Sequence, residues 1–219
     1  MHQSRTIRTL IAWAVLLLAT SPPSVTADRH QPCCGEITAA GQRLAGILDA
    51  MNVESLWLAH EHVNWETGEP DRGGAYEGPN KHTHCSAFAA AAAKNMGIYL
   101  LSPPEHGQQL LANAQAGWLA GHEAQKQGWL EISGARRAQT EANRGNLVIV
   151  VYANPDSHEP GHVAIVRPSE KSEQALVRNG PQIIQAGNHN HSSTTVRVGF
   201  SNHPDAWPAG VRYYLHPLR

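Results

Sequence analysis

The sequence predicts an α+β protein in which helices from the N-terminal half pack on an antiparallel β-sheet from the C-terminal half. Between Glu36 and Asn143, apolar residues recur mostly at helical spacing. After Gly145 they form β-branched and aromatic runs separated by Pro, Gly, Asn and Ser. Helices followed by strands along one chain are typical of this fold class.

Residues 1–27 have the pattern of a signal peptide. Arg5 and Arg8 precede the ten-residue apolar run LIAWAVLLLA, and the segment ends in a Val-Thr-Ala cleavage signature at Ala27. A membrane anchor is the alternative, but so short a run cannot span the hydrocarbon core. We therefore expect residues 28–219 to be one exported domain, periplasmic or extracellular, with no stable membrane insertion after cleavage.

The charge of the mature chain argues against two classes of partner. Residues 1–27 contain two arginines and no acid, so cleavage leaves 15 basic and 18 acidic residues and a net charge of −3. Such a chain has no electrostatic footprint for nucleic acid or for an anionic membrane. The sequence contains 14 histidines, so its charge should rise steeply below neutral pH.

Four helices are predicted before Gly145. The first has an apolar stripe made by Leu44, Ile47, Leu48 and Met51. An alanine-rich helix covers 86–96 and stops at Gly97, GQQLLANAQAGWLAG predicts a third, and Ser133 caps a fourth that runs to Asn143. The segment 67–83 is rich in Gly, Pro and charge, which predicts a long functional loop.

Five segments of the C-terminal half are predicted as strands. They are NLVIVVYA, GHVAIV, PQIIQAG, TTVRVGF and VRYYLH. Each is rich in β-branched or aromatic residues and is bounded by residues that favour turns. No internal repeat or clear linker divides the chain.

The cysteine count is odd, so not every thiol can pair within the chain. The three residues are Cys33, Cys34 and Cys85. In an oxidising compartment, one thiol is then free or bonded to another chain. Cys33 and Cys34 can close a vicinal disulfide, or one of them can link two chains into a dimer, and both arrangements keep Cys85 free. A bond from either to Cys85 would block that thiol.

Cys85 lies where the small polar segment KHTH meets the alanine-rich helix. At a helix N-terminus, the macrodipole and the unpaired amides stabilise a thiolate and lower its pKa. A buried structural thiol is the alternative, because most free cysteines are of that kind. The polar neighbours Thr83, His84 and Ser86 favour a nucleophile.

A nucleophilic cysteine needs a base, and the base needs an orienting partner. In EPGHVAIVRP, His162 begins an apolar strand directly after a Pro-Gly turn. In GPQIIQAGN, Gln185 is the lone polar residue between Ile184 and Ala186. If these strands pair, Gln185 can bind the imidazole and fix its tautomer. The alternative for His162 is a sheet-edge residue bonded to a backbone carbonyl.

The motifs HCSAF, GHVAIV and IIQAG occur in an order and spacing similar to those of papain-like cell-wall hydrolases. Over about residues 67–200 the chain resembles the NlpC-type and CHAP-type (cysteine, histidine-dependent amidohydrolase/peptidase) domains. The resemblance implies a papain-like fold, no cofactor or metal, and hydrolysis of amide bonds in peptidoglycan peptides. By position it makes Cys85 the nucleophile, His162 the base and Gln185 the orienting residue.

The resemblance also bears on three neighbouring residues. Tyr76 would be the second oxyanion donor beside the Cys85 N–H, although an exposed loop aromatic is the favoured interpretation. His84 stands where the family commonly has Asp or Asn, which leaves open which histidine pairs with the thiol. Asn188 would replace Gln185 if the strand register were offset, although its surroundings indicate a loop.

Two other classes of function compete with the cysteine hydrolase. A zinc-binding hydrolase would use three His-x-His pairs, which are His60 and His62, His82 and His84, and His189 and His191. The chain has no His-Glu-x-x-His motif on a predicted helix, because its one match, HEPGH at 158–162, contains the Pro-Gly turn before His162, and this weakens the alternative. A non-catalytic wall-binding module would use Trp57, Trp65, Trp118, Trp129 and Trp207. Tryptophans at helical positions more often belong to a core.

The signal-peptide pattern predicts a defined mature N-terminus. We expect protein recovered from the expressing cell to begin at Asp28, because signal peptidase cleaves after small residues such as Ala27. Intact-mass spectrometry measures this directly. A cytosolic chain that still begins at Met1 would show that the segment is not a signal peptide.

Overall fold

The computed structural model describes residues 32–75 and 82–218, and these belong to one compact unit. Its centre is a six-stranded sheet with the strand order β3-β8-β4-β5-β6-β7, in which every neighbouring pair is antiparallel. Helices cover both faces of this sheet, so the predicted α+β class is confirmed. The signal-peptide segment and Tyr76 lie outside the described residues.

The longest connection between neighbouring elements is the segment 96–110, between α2 and α3. The helices are α1 (Ala39–Ala50), α2 (Cys85–Asn95), α3 (Leu111–Leu119), α4 (His122–Lys126), α5 (Ala135–Asn143), α6 (Glu173–Asn179) and α7 (Val196–Gly199). The strands are β1 (Glu61–Val63), β2 (Pro70–Ala75), β3 (Leu130–Ile132), β4 (Leu147–Tyr152), β5 (His162–Val166), β6 (Gln182–Gln185), β7 (His191–Thr195) and β8 (Arg212–His216).

The sheet separates two hydrophobic clusters, because side chains alternate between the faces of a strand. On the α2 face, Ile149, Val163 and Ile184 pack with α1, α2 and α3. On the α5 face, Val150 and Ala164 pack with α5 and α7. The two central strands β4 and β5 are buried along their whole length. This explains why their sequences are continuously apolar and do not alternate.

The alanine-rich helix α2 is buried on all sides from Cys85 to Ala93. Its small side chains allow the helix to lie close to β5, against which it packs. A helix that is apolar all round belongs inside a protein, in agreement with this position. Cys85 begins the helix, as predicted, and Gly97 follows it with a φ of 72°, which suits a residue without a side chain.

Three local predictions for the helical half are wrong. Ile47 is 39% exposed, so the buried stripe of α1 consists of Leu44, Leu48 and Met51. The N-cap of α5 is Gly134 and not Ser133, and no side chain caps this helix. The segment 67–83, predicted as a loop, contributes β2, which forms a two-stranded sheet with β1.

In the C-terminal half, the predicted strand TTVRVGF is only partly a strand. β7 ends at Thr195, and Val196–Gly199 turn into the short helix α7. Val196 and Phe200 are then buried together on the α5 face while Val198 is 53% exposed, whereas a strand would turn all three to the same face. The remaining four predicted strands are confirmed as β4, β5, β6 and β8.

The sulfur atoms of Cys33 and Cys34 are bonded to each other, and Cys85 is free. The vicinal alternative is therefore the one present, and a dimer linked through Cys33 or Cys34 would require this bond to open. In the part of the chain that is described, no helix has both the length and the apolar character needed to cross a bilayer.

Asn143 links the segment before α1, at Gly35, to the segment that follows β5, at Ser169. Its side-chain amide donates to the carbonyls of Gly35 and Ser169, at 3.0 and 3.2 Å. Its side-chain oxygen accepts from the Ser169 N–H at 2.9 Å and from Gln139 at 3.0 Å. Because Asn143 is 1% exposed, water cannot replace these partners without local opening.

We expect Asn143→Ala to lower the free energy of unfolding by about 2–4 kcal/mol, since several buried polar groups lose their partners together. Urea denaturation followed by far-UV circular dichroism measures the change. Gln174→Ala, at an exposed position of α6, is the control and should stay within about 0.5 kcal/mol. Equal stabilities for the two variants would show that this network does not hold the segment.

Candidate active site

Cys85 is the first residue of α2, and its thiol is surrounded by hydrogen-bond donors. The backbone N–H groups of Val163 and Ser86 both donate to its sulfur. Ser86 lies in the first turn of α2, where N–H groups have no helical acceptor. Val163 lies on β5, one residue beyond His162. The close packing of α2 on β5 therefore brings a helix terminus and a strand backbone to the same sulfur atom.

His162 begins β5 and joins Cys85 to Gln185. Its Nε2 atom lies 2.7 Å from Gln185 Oε1, and its ring also hydrogen-bonds Cys85. The strands β5 and β6 are paired, which the expected contact of Gln185 with the imidazole requires, and Ile165 lies opposite Ile184. Gln185 Nε2 donates to the His189 carbonyl at 3.4 Å, which directs its Oε1 to the ring. His162 Nε2 therefore carries a proton, and Nδ1 is left for the thiol.

The electrostatics of the site favour a thiolate and an imidazolium. Burial by itself raises the pKa of Cys85, but the charge of His162, its hydrogen bond and the two backbone donors lower the pKa further than burial raises it. Burial likewise lowers the pKa of His162, whereas the charge and hydrogen bond of Cys85 and the bond to Gln185 give a net rise. Each group thus stabilises the charged form of the other.

Gln185 is held by the close approach of α7. A Cβ atom at Gly199 would overlap Gln185 Oε1 and the Ile183 side chain, so only glycine leaves room for the amide. Phe200 meets the His162 ring edge to face, with centroids 4.6 Å apart, and is 1% exposed. Phe200 therefore keeps water from one side of the His162 ring. The hydrogen bond between His162 and Gln185 is stronger as a result, because the dielectric constant around it is low.

A cleft of about 420 Å³ opens beside this trio, and we call it the His162 cleft. Its walls include Thr83, Gly161, His162, Gln185, Asn188 and His203. Cys85 is 4% exposed and does not border the cleft, but His162, which contacts the thiol, does, as does Thr83, two residues before Cys85 in the chain. The cleft therefore reaches the thiol through His162.

The other predicted site residues have different surroundings. The Nε2 atom of His84 donates to the Glu61 carbonyl at 3.0 Å, and burial lowers the pKa of this imidazole. His162 is therefore the histidine that pairs with the thiol. Asn188 borders the cleft in the loop after β6, while the bond to His162 is made by Gln185.

The sequence did not single out Gly199, Phe200 or His203. The His203 ring lies 6.1 Å from His162 and 5.0 Å from Tyr152, and burial followed by the charge of His162 lowers its pKa. All three residues come from the stretch that was predicted as a continuous strand and loop. The adjacent residues Gly199 and Phe200, at the end of a β-branched run, were the one available signal.

The histidine pairs do not form a metal centre in the described ranges 32–75 and 82–218, where no three His, Cys, Asp or Glu side chains are grouped to hold an ion. His84 is committed to a backbone carbonyl. Among the tryptophans, Trp57 and Trp129 are 2% and 1% exposed, so these two belong to the core and not to a binding surface.

The chain matches no family model and no curated protein sequence. The interpretation of the site therefore depends on its own geometry.

We expect the Cys85 thiol of the native protein to react with iodoacetamide with a midpoint pH well below the value of about 8.5 for a free thiol. The rate should rise as the pH rises through the lowered pKa of Cys85, because only the thiolate reacts. His162→Ala should move the midpoint upward, since the imidazolium partner is lost. Peptide mass spectrometry of samples quenched at each pH gives the profile.

His84→Ala is the matched control, because it removes the second nearby imidazole without removing the partner of the thiol. A midpoint that stays low in His162→Ala but rises in His84→Ala would reverse the pairing. A native midpoint near that of a free thiol would mean that Cys85 is a packing residue.

Proposed function

We propose that this chain is a papain-like cysteine hydrolase that acts outside the cytoplasm. Its proposed substrates are the amide bonds of peptidoglycan peptides. The observation that carries the proposal is the continuous chain of contacts from Cys85 through His162 to Gln185. A nucleophile at a helix terminus, a base and an orienting amide are the parts that acyl transfer by a thiol requires.

In the proposed reaction, the Cys85 thiolate attacks the carbonyl carbon of the scissile amide. The backbone N–H of Cys85 donates to the oxyanion that forms. The His162 imidazolium gives its Nδ1 proton to the departing amine, and the C–N bond breaks to leave a thioester on Cys85. His162 then takes a proton from water, whose oxygen attacks the thioester carbon. The C–S bond breaks, the product acid leaves, and the thiolate–imidazolium pair is restored.

The surroundings of His162 support this cycle. Gln185 holds the ring so that Nδ1 faces the sulfur in both steps. Phe200 packs edge to face against the same ring and restricts its rotation. Among the described residues, those that line the His162 cleft include no Asp, Glu, Lys or Arg. The described part of the cleft therefore offers amides, hydroxyls and imidazoles, which suits a peptide or amino-sugar backbone.

The papain-like fold is part of the same proposal. It is supported by the order of the parts, with the nucleophile at the start of a buried helix and the base and orienting residue on adjacent antiparallel strands. The candidate bonds are those of the stem peptide, the cross-bridge and the sugar–peptide link, in the cell's own wall or in a foreign one.

Digestion of purified peptidoglycan with the mature chain, followed by mass spectrometry of the fragments, tests the function and identifies the bond. Cys85→Ala and His162→Ala should each lower the rate at least about 1000-fold, because the nucleophile or its base is lost. Cys85→Ser should fail as well, since a serine hydroxyl has no comparable ionised fraction.

The control is His84→Ala, which leaves the trio intact and should retain most activity if folded. Full activity of Cys85→Ala would end the cysteine-hydrolase proposal. Loss of activity on chelation would instead favour a metal hydrolase, and wall binding without fragments would favour a binding module.

The orienting role predicts a ranking of two amides. Gln185→Ala should lower kcat by about 10- to 1000-fold without unfolding the protein, because the ring loses its fixed tautomer. Asn188→Ala should have a much smaller effect, since it lies in the loop and does not bind the ring. Steady-state kinetics with a fragment identified by the digestion measures both, and the opposite ranking would assign the role to Asn188.

A further inference from the structure

The loop between β6 and β7, residues 186–190, forms one wall of the His162 cleft. Gly187, Asn188 and His189 line the cleft from this loop. Gly187 also lies against the trio, because a Cβ atom built on it would be 3.2 Å from Gln185 Nε2 and 3.7 Å from His162 Cε1. A movement of this loop would therefore disturb the contact between Gln185 and the imidazole.

The carbonyl of His189 selects the orientation of the Gln185 amide. Gln185 Nε2 donates to this carbonyl at 3.4 Å, and Gln185 Oε1 accepts from His162 Nε2 at 2.7 Å. If the amide were turned over, its oxygen would face the His189 carbonyl and its NH₂ group would face the imidazole. The proton of the neutral imidazole would then lie on Nδ1 and not on Nε2. The position of one backbone carbonyl therefore decides which ring nitrogen is left for the thiol.

Asn190 holds the loop through both ends of its side-chain amide. Its Oδ1 atom accepts from the Gly187 N–H at 2.9 Å, inside the loop. Its Nδ2 group donates to three carbonyls of the segment 53–57, those of Val53, Leu56 and Trp57, at 2.7, 2.8 and 3.2 Å. Because Asn190 directly follows His189, these bonds fix the peptide unit that contains the His189 carbonyl.

The segment that accepts these bonds belongs to the core on the α2 face. Trp57 is buried, and its ring meets Phe88 edge to face, with centroids 5.2 Å apart. Phe88 lies on α2, three residues after Cys85. Trp57 has a φ of 51°, a left-handed conformation that a bulky residue adopts only where its surroundings hold it. Asn190 thus links the loop beside Gln185 to a residue that packs on the helix of the nucleophile.

We propose that Asn190 is a positioning residue that selects the tautomer of His162. It acts through the loop, by fixing the His189 carbonyl against the Gln185 amide, and the hydrogen bonds of its own side chain go to backbone groups. The effect on the tautomer depends only on the geometry of the trio, whereas the contribution of Asn190 to turnover rests on the proposed hydrolase function.

The first test identifies the tautomer by NMR of ¹⁵N-labelled histidine rings, at a pH at which the His162 ring is neutral. It uses Cys85→Ala, because a thiolate would attract the ring proton to Nδ1. The proton should lie on Nε2 in this protein, and Asn190→Ala added to it should give a substantial share of the Nδ1–H form. The His162 signals are assigned by their loss in His162→Ala. If Asn190→Ala does not fold, Asn190→Ser, which keeps one hydrogen-bonding group, takes its place.

The second test uses the thiol of the otherwise native chain. Asn190→Ala should raise the midpoint pH of the reaction of Cys85 with iodoacetamide by about 0.5–1 unit. The reason is that a poorly held Gln185 raises the pKa of His162 less, so the thiolate loses part of its cationic partner. The other titratable group that interacts with the charge of His162 is His203, which this variant leaves in place.

Turnover separates this proposal from the hydrolase proposal. If the native chain cleaves peptidoglycan, Asn190→Ala should lower kcat about 10-fold and change KM by less than about 2-fold, because the base is misplaced while the cleft remains. A native chain that cleaves nothing would end the hydrolase proposal, and the tautomer measured in Cys85→Ala would still decide the role of Asn190.

Ser192→Ala is the matched control, because Ser192 also ties β7 to the segment 53–57. Its N–H and its hydroxyl donate to Glu54 at 3.0 and 2.6 Å, and its hydrogen bonds in the described structure include none to Gly187 or Gln185. The control should keep the native tautomer and the native midpoint. An Nε2–H tautomer that persists in Asn190→Ala, or equal changes in Asn190→Ala and Ser192→Ala, would overturn the proposal.

Discussion

The close packing of α2 against β5 is the contact on which the arrangement of Cys85, His162 and Gln185 depends. From Cys85 to Ala93 every residue of α2 is buried, and apart from Phe88 the side chains are small. A larger side chain on the surface that meets β5 would push the helix away from the sheet, because a packed interior cannot absorb extra atoms without movement. The thiol would then lose both His162 and the Val163 N–H, so a run of alanines sets the geometry of the reacting groups.

The site forms at the end of a strand because its members come from opposite faces of the sheet. Cys85 belongs to the cluster on the α2 face, whereas alternation places His162 and Gln185 on the α5 face with Ala164 and Ile183. His162 is the first residue of β5, where the sheet no longer separates the two faces. Burial alone would keep both the thiol and the imidazole neutral. Their mutual attraction and the backbone donors reverse that tendency.

Sequence reasoning predicted the parts of the site whose causes are local. The alanine-rich helix next to Cys85 and the strands that carry His162 and Gln185 follow from composition, turn residues and spacing. The pairing of these strands was a condition that only the structure meets. The turn from β7 into α7 was missed because Val196 and Val198 favour strands, but a strand would place Val198, which is 53% exposed, on the same face as the buried Val196 and Phe200. Gly134, and not Ser133, is the N-cap of α5, with a φ of 86° that suits glycine. The Tyr213 hydroxyl is buried without a hydrogen-bond partner among the described residues. This depends on tertiary neighbours, so no sequence pattern predicts it.

The unequal cover of the two faces explains where the His162 cleft and a second cavity lie. The α2 face is covered by α1, α2 and α3, of 12, 11 and 9 residues, which leave little of it open. On the α5 face, α5 is joined by α6 and α7, of only 7 and 4 residues, and by the irregular segment Ala206–Gly210. Elements so short cannot cover a six-stranded sheet from edge to edge. Openings therefore remain beside β5 and β6, where His162 and Gln185 project, and near the sheet edge formed by β3 and β8. Because surface loops and short helices tolerate change more readily than a packed face, binding groups on this side can vary without disturbing the contact between α2 and β5.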